Sequence, residues 1–167
     1  VHDDKLHFEV LKRSRKPLSA GDLFTFRVKT RGHFFGRVII PSMPGDHPLT
    51  EASCLLYIYE FESSSTSIDF ETIGVRSFLI PPVFTNRRPW TMGYFQTLAN
   101  VPPGEQDVLG QHCFWDVPFR RYVDEMRRPI QGKIEPCGMF GLASYSGISS
   151  EVGAALGLPT LEGPEDY

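Results

Sequence analysis

The chain has 167 residues, 41% of them apolar and 13% aromatic, which suits one domain with a real core and excludes a disordered polypeptide. Gly 15 and Pro 14 favour short strands and turns over long helices. The net charge of −3 decides little alone, but no apolar run is long enough to span a bilayer.

Residues 1–19 form a basic N-terminal segment around KLHFEVLKRSRK, readable as an edge strand or a short helix. Its start, VHDDKLHFEV, lacks the apolar stretch of a secretory leader, although the first residue is not Met and a processed leader stays open. A single domain is expected over 20–159, with an acidic tail over 160–167. Phe24, Phe26 and Val28 alternate with Thr25, Arg27 and Lys29, the period of a half-buried strand. The pattern breaks at Arg31-Gly32 and resumes from Phe34 to Ile40, which predicts a hairpin with Gly32 at its turn. Gly36 inside the second strand predicts a bulge or a close backbone approach.

Pro41 to Pro48 reads as a loop. Cys54 to Phe61 is almost wholly apolar and predicts a central strand buried on both faces. Ser64, Ser65 and their neighbours form a polar connector. Ile68 to Ile80 reads as two short strands broken near Gly74. Pro81-Pro82 cannot donate to a ladder, so the chain is expected to leave the sheet there. Pro89 is expected to hold Arg88 extended, and Met92 to Leu98 to form a further strand. Cys113 to Trp115 is apolar. Phe119 to Met126 fits a helix or a strand. From Ser146 to Pro159 a helix is predicted, with Ile148, Val152, Ala155 and Leu156 on one face and Gly157 at its stop.

Charge is segregated. Nine of the 17 basic residues lie between Lys5 and Arg37, and the other eight between Arg76 and Lys133. From Val38 to Val75 there is no base but six acids: Asp46, Glu51, Glu60, Glu62, Asp69 and Glu71. Such a stretch is either a solvated strand surface or a field that steers a basic partner.

Motifs for chemistry are absent: there is no phosphate-binding glycine loop, dinucleotide fingerprint or zinc-type Cys and His spacing, so no metal or cofactor is expected. His112 and Cys113 are adjacent, and neighbours on a strand point to opposite faces, so they are not expected to act together. Asp116 and Asp124 read as surface charges between strands, and the serines lack a nucleophile-elbow context. Cys54, Cys113 and Cys137 cannot all pair within one chain, and reduced thiols in a cytoplasmic protein are expected. TNRRPW offers Trp90, Arg87 and Arg88 for base stacking and phosphate contact. The other reading makes Trp90 a packed lid residue beside a proline-defined turn.

Taken in order, GDLFTFRV and FGRVI, PPVFTNRRPWTMGYFQTL, QHCFWD, RYVDE and GLASYSGISSEVGAALGLP resemble the immunity protein 26 family, bacterial polymorphic-toxin immunity proteins, from about Ala20 to Pro159. The resemblance implies a mainly β protein that binds and neutralises a cognate toxin in interbacterial competition, with no catalysis of its own. It also implies a strand and turn for RRYVDEMRRPI, although MRRP stands where a glycine-containing turn is expected. The expected architecture is a single α+β domain, mainly β: a curved antiparallel sheet or partly open barrel with a C-terminal helix. Toxin contact is expected on Asp46, Glu51, Glu60, Glu62, Asp69 and Glu71, whose carboxylates imitate phosphate. The alternative is a nucleic-acid-binding β domain using Arg27, Lys29, Arg31, Arg87 and Arg88, and a weaker one a hydrolase. No membrane partner is expected.

Overall fold

A computed structural model of the chain describes residues 5–50, 52–73 and 77–161. The alternating aromatics build β1 (Asp22–Arg27), and after the turn at Gly32, β2 (His33–Ile40) returns antiparallel to it. β3 (Cys54–Ser63) pairs with β2, and β4 (Phe78–Thr85) pairs with β3, both antiparallel. A single helical turn, α1 (Arg88–Thr91), leads into β5 (Gln96–Asn100), which returns to the free side of β1. The first sheet therefore has the order β4-β3-β2-β1-β5. β6 (Cys113–Asp116) and β7 (Arg121–Val123) form a hairpin, and β8 (Cys137–Met139) joins β6 in parallel, giving a second sheet of order β7-β6-β8. α2 (Tyr145–Ala155) follows. The fold is α+β and mainly β, with two open sheets in place of a closed barrel.

One face of the large sheet presents Phe24, Phe26, Phe34, Val38, Leu56 and Ile58, and it is closed by Phe8, Trp90, Phe95, Ile148 and Val152. The opposite face presents Phe35, Tyr57 and Tyr59 under the loops, while Leu55 and Phe84 meet Phe114 and Val123 of the second sheet. The apolar half of β3 is thus buried on both faces, as its composition predicts. Residues 5–19 are largely irregular yet sewn into the core: Phe8 bridges to Val28, the His7 amide donates to Ser149 Oγ (2.8 Å), and Leu11 N–H donates to the Gly93 carbonyl (2.7 Å).

Gly36 sits where a Cβ would meet the Phe24 ring and lie 2.6 Å from the Tyr57 carbonyl, so the close approach predicted from its place in the strand is present. α2 starts at Ser144, whose hydroxyl accepts from Gly147 N–H (3.1 Å). It ends at Gly157 in the left-handed region, with Gly157 N–H bonded to the Ala154 carbonyl and Leu158 N–H to that of Gly153.

Several local expectations are overturned. β4 runs straight through Pro81-Pro82: it is an edge strand with a register shift there, so its missing amides take nothing from the ladder. Arg88 is helical, because Pro89 falls in the first turn, where an amide has no intrahelical partner. The strand expected from Met92 begins only at Gln96, after a turn through Gly93 at φ +87°. The first half of Ile68 to Ile80 is a 3-10 turn, Phe70–Thr72, and the expected break at Gly74 lies outside the described residues. β1 is buried on both faces, with Thr25 donating to the Phe34 carbonyl (2.8 Å). Ala155 is exposed, and the buried stripe of α2 is Ile148, Ser149, Val152 and Gly153. Phe119 to Met126 resolves into β7 and a turn, as the family resemblance implies.

Candidate functional site

Between the two sheets the packing includes a chain of polar groups. His112, just before β6, has Nε2 2.5 Å from Tyr57 Oη on β3 and Nδ1 3.1 Å from Glu125 Oε2 after β7. Leu109 N–H donates to Tyr57 Oη (3.1 Å), which frees the phenol proton for His112 Nε2 and leaves Nδ1–H to donate to the carboxylate. The Glu125 carbonyl accepts from His47 Nε2 (2.7 Å), while His47 Nδ1 accepts from Leu49 N–H (3.2 Å). Burial pushes the Tyr57 phenol up to about 12, and the hydrogen bond from His112 holds Glu125 below the usual carboxylate range. A tyrosine, an imidazole and a carboxylate in line have the parts of an acid–base relay. Here Tyr57 is fully buried and both imidazole nitrogens are engaged, so the line fastens one sheet to the other.

His112 and Cys113 go to different partners. Cys113 Sγ lies 3.1 Å from Cys137 Sγ, its in-register neighbour on β8, and both are free thiols. Cys54 is also a free thiol, pushed up to about 12 by burial.

Asp116 and Asp124 are not surface charges. Asp116 is fully buried and bound by Arg127 through two hydrogen bonds (3.0 and 3.1 Å), with Arg121 3.7 Å away. These guanidinium groups, the Arg127 hydrogen bond first, hold its carboxyl below the usual range. Asp124 accepts from Arg128 Nε (2.8 Å) and from the amides of Met126 and Arg128 (2.9 Å each). This network closes the MRRP turn, in which Arg127 takes φ +64°, the conformation that a glycine would adopt at least cost. Arg120, at the tip of the β6–β7 hairpin, is also left-handed at φ +51°.

The model of the family described as immunity protein 26 matches residues 19–124 of this chain. The chain belongs to that family. No curated protein and no solved structure matches it. The immunity protein 26 match takes in β1 to β7, Tyr57 and His112, and stops at Asp124, short of β8, α2 and the Pro159 to which the motif resemblance extends.

Within this member of the family, the described acidic candidates lie in the β2–β3 loop, on β3 and at a 3-10 turn. Glu62 is bound by Arg31 through Nε (3.1 Å) and NH2 (2.7 Å) and accepts from Gly32 N–H (2.8 Å), so it clamps the hairpin turn. Glu60 is exposed on the same strand. Asp69 caps the 3-10 turn that carries Glu71. Asp46 lies in the β2–β3 loop, at the opposite end of the sheet from Glu62, and Glu51 lies outside the described residues.

The basic candidates divide in the same way. Arg27, Lys29 and Arg31 belong to the β1–β2 turn, whereas Arg87 and Arg88 follow β4 at the other end of β2, roughly 23 Å away at the usual strand rise. Arg27 faces Glu9 (3.6 Å), Arg87 donates to the Arg15 carbonyl (2.6 Å), and Arg88 lies over the Tyr145 ring. Trp90 is 3% exposed, packed on Phe24 and Phe95, with its indole N–H donating to Thr97 Oγ1 (3.1 Å). Such a ring is not presented for stacking on a base. Among the described residues no group of three or more His, Cys, Asp and Glu is placed to hold a metal ion, and no helix is long and apolar enough to cross a membrane.

Sequence reasoning missed the partners of His112, which come from residues 55 positions before it and 13 after it. It also missed the burial of both aspartates. The one visible signal was the pair of arginines in MRRP where a glycine was expected.

Proposed function

We propose that this chain is an immunity protein that binds a cognate bacterial toxin domain and neutralises it by covering its working surface, with no chemistry of its own. It acts in the cytoplasm of the producing cell. The observation that carries this reading is membership of the immunity protein 26 family across residues 19–124. The internal geometry supports it. The groups best suited to acid–base work, His112, Glu125 and Asp116, are engaged with protein partners. The nucleic-acid alternative is disfavoured because its arginines divide between the two ends of the sheet and Trp90 is buried.

The test is co-expression with the toxin domain encoded by the adjacent reading frame. Rescue of growth together with a stable complex on size-exclusion chromatography is the expected result. A chain that neither rescues nor binds any such domain, or that binds DNA or RNA at physiological salt with a steep salt slope, overturns the reading.

A further inference from the structure

The outer face of the small sheet carries a row of large side chains. Register places Tyr122 beside Trp115 on β7 and β6, and Met139 beside Trp115 on β8, so the three side chains form one row across the sheet. The intervening positions, Phe114 and Val123, point the other way into the core. Trp115 and Tyr122 are half-buried with ring centroids 4.8 Å apart, and Met139 is 52% exposed. At the hairpin tip Phe119 is 60% exposed but belongs to the other side, where Arg121 and Arg127, the partners of Asp116, lie over its ring (4.8 and 4.9 Å). Trp, Tyr, Met and Arg are the side chains enriched at protein interfaces, and the first two with Arg dominate their binding energy.

The charges of this face are arranged unequally. Asp116, buried on the opposite side, is held by Arg127, Asp124 is held by Arg128, and Glu135 by Lys133 (2.9 Å). Arg120 is exposed, and its side chain makes no hydrogen bond, ion pair or ring contact with any described residue. Its backbone is nevertheless left-handed, where a non-glycine residue is strained. Arg127, the other left-handed arginine, is accounted for by Asp116. The backbone of Arg120 is set by the hairpin loop, where its N–H donates to the Val117 carbonyl (3.2 Å), but among the described residues nothing pairs with its side chain.

We infer that the row Tyr122–Trp115–Met139, with Arg120 at the hairpin tip, is the surface that docks the partner, and that the partner is a protein surface carrying a carboxylate next to an apolar patch. This rests on the immunity reading, and it makes the toxin acidic at the contact. Charge complementarity selects that occupant: among the described residues Arg120 has a side chain without an ion-pair partner, and the row supplies apolar area.

The experiment compares wild type with Arg120→Gly and Met139→Glu by stopped-flow binding to the adjacent-frame toxin domain and by thermal melting. Glycine suits φ +51°, so Arg120→Gly keeps or raises the melting temperature while dissociation becomes about tenfold faster or more. A merely structural role moves both readouts in the same direction. Met139→Glu sets a carboxylate against the acidic partner and weakens binding without unfolding an exposed position. If wild type binds the toxin and both variants bind as tightly, the docking surface is wrong and the immunity reading stands. If wild type does not bind the toxin, or the face binds a single-stranded RNA probe in its place, both are wrong.

Discussion

Replacing Tyr57 by Phe removes one oxygen from the line of polar groups between the sheets and leaves the ring volume unchanged. Two partners lose their bond: His112 Nε2 at 2.5 Å and Leu109 N–H at 3.1 Å. His112 is 5% exposed, so its nitrogen loses water as well as the phenol, at about 1–3 kcal/mol. Leu109 is half-buried and its amide regains part of its solvation, adding less. The expected loss is about 2–3 kcal/mol in urea unfolding, read as a lower midpoint at unchanged slope. Glu125→Gln weakens the other end of the same line. A double-mutant cycle between the two is therefore expected to be non-additive by about 0.5–3 kcal/mol. A Tyr57→Phe variant within about 0.5 kcal/mol of wild type, or an additive cycle, refutes the claim that this line fastens the sheets.

Leu56→Ala, at a fully buried site on β3, is expected to cost about 2–5 kcal/mol by the same assay. Gly36→Ala forces a Cβ against the Tyr57 carbonyl and the Phe24 ring, and is expected to cost about 1–3 kcal/mol, seen as a fall in melting temperature. Glu125, Asp116 and Glu62 all sit below their ordinary carboxylate range, so their stabilisation is complete above the unfolded range and is lost as pH falls through the folded values. Urea midpoints are therefore expected to drop on acidification from neutral pH, and to drop less steeply in Glu125→Gln. In protein isolated under reducing conditions, mass spectrometry is expected to find three free thiols, with Cys54 unreactive to thiol reagents until the chain unfolds.

The parts of the fold written in local periodicity were legible: the β1–β2 hairpin, the doubly buried β3 and the stop of α2 at Gly157. What failed depended on position in the whole. Pro81-Pro82 ends a central strand but not an edge strand, and only the finished sheet says that β4 is an edge. Asp116 looks like a solvent charge until the turn after β7 returns Arg127 to it. Glu62 looked like one of six free acids because Arg31, 31 residues earlier, becomes its neighbour only when β2 and β3 pair. The docking row was invisible for the same reason: Trp115, Tyr122 and Met139 become neighbours only through the registers of β7 and β8 with β6.

The bond between the His7 amide and Ser149 Oγ joins positions 142 apart, and it gives the molecule a schedule. At bacterial and eukaryotic elongation speeds, roughly 7–28 s separate the appearance of these two residues on a ribosome. During that interval β1 to β5 can pair and Phe8, Trp90 and Phe95 can cover Phe24 and Phe26, but the part of the face that Ile148 and Val152 close stays open until they arrive. An unfinished chain therefore keeps part of its apolar sheet open to water, the kind of surface on which partly made chains aggregate. Working copies come only from completed synthesis, and any change that delays the closing of α2 lengthens the period of exposure.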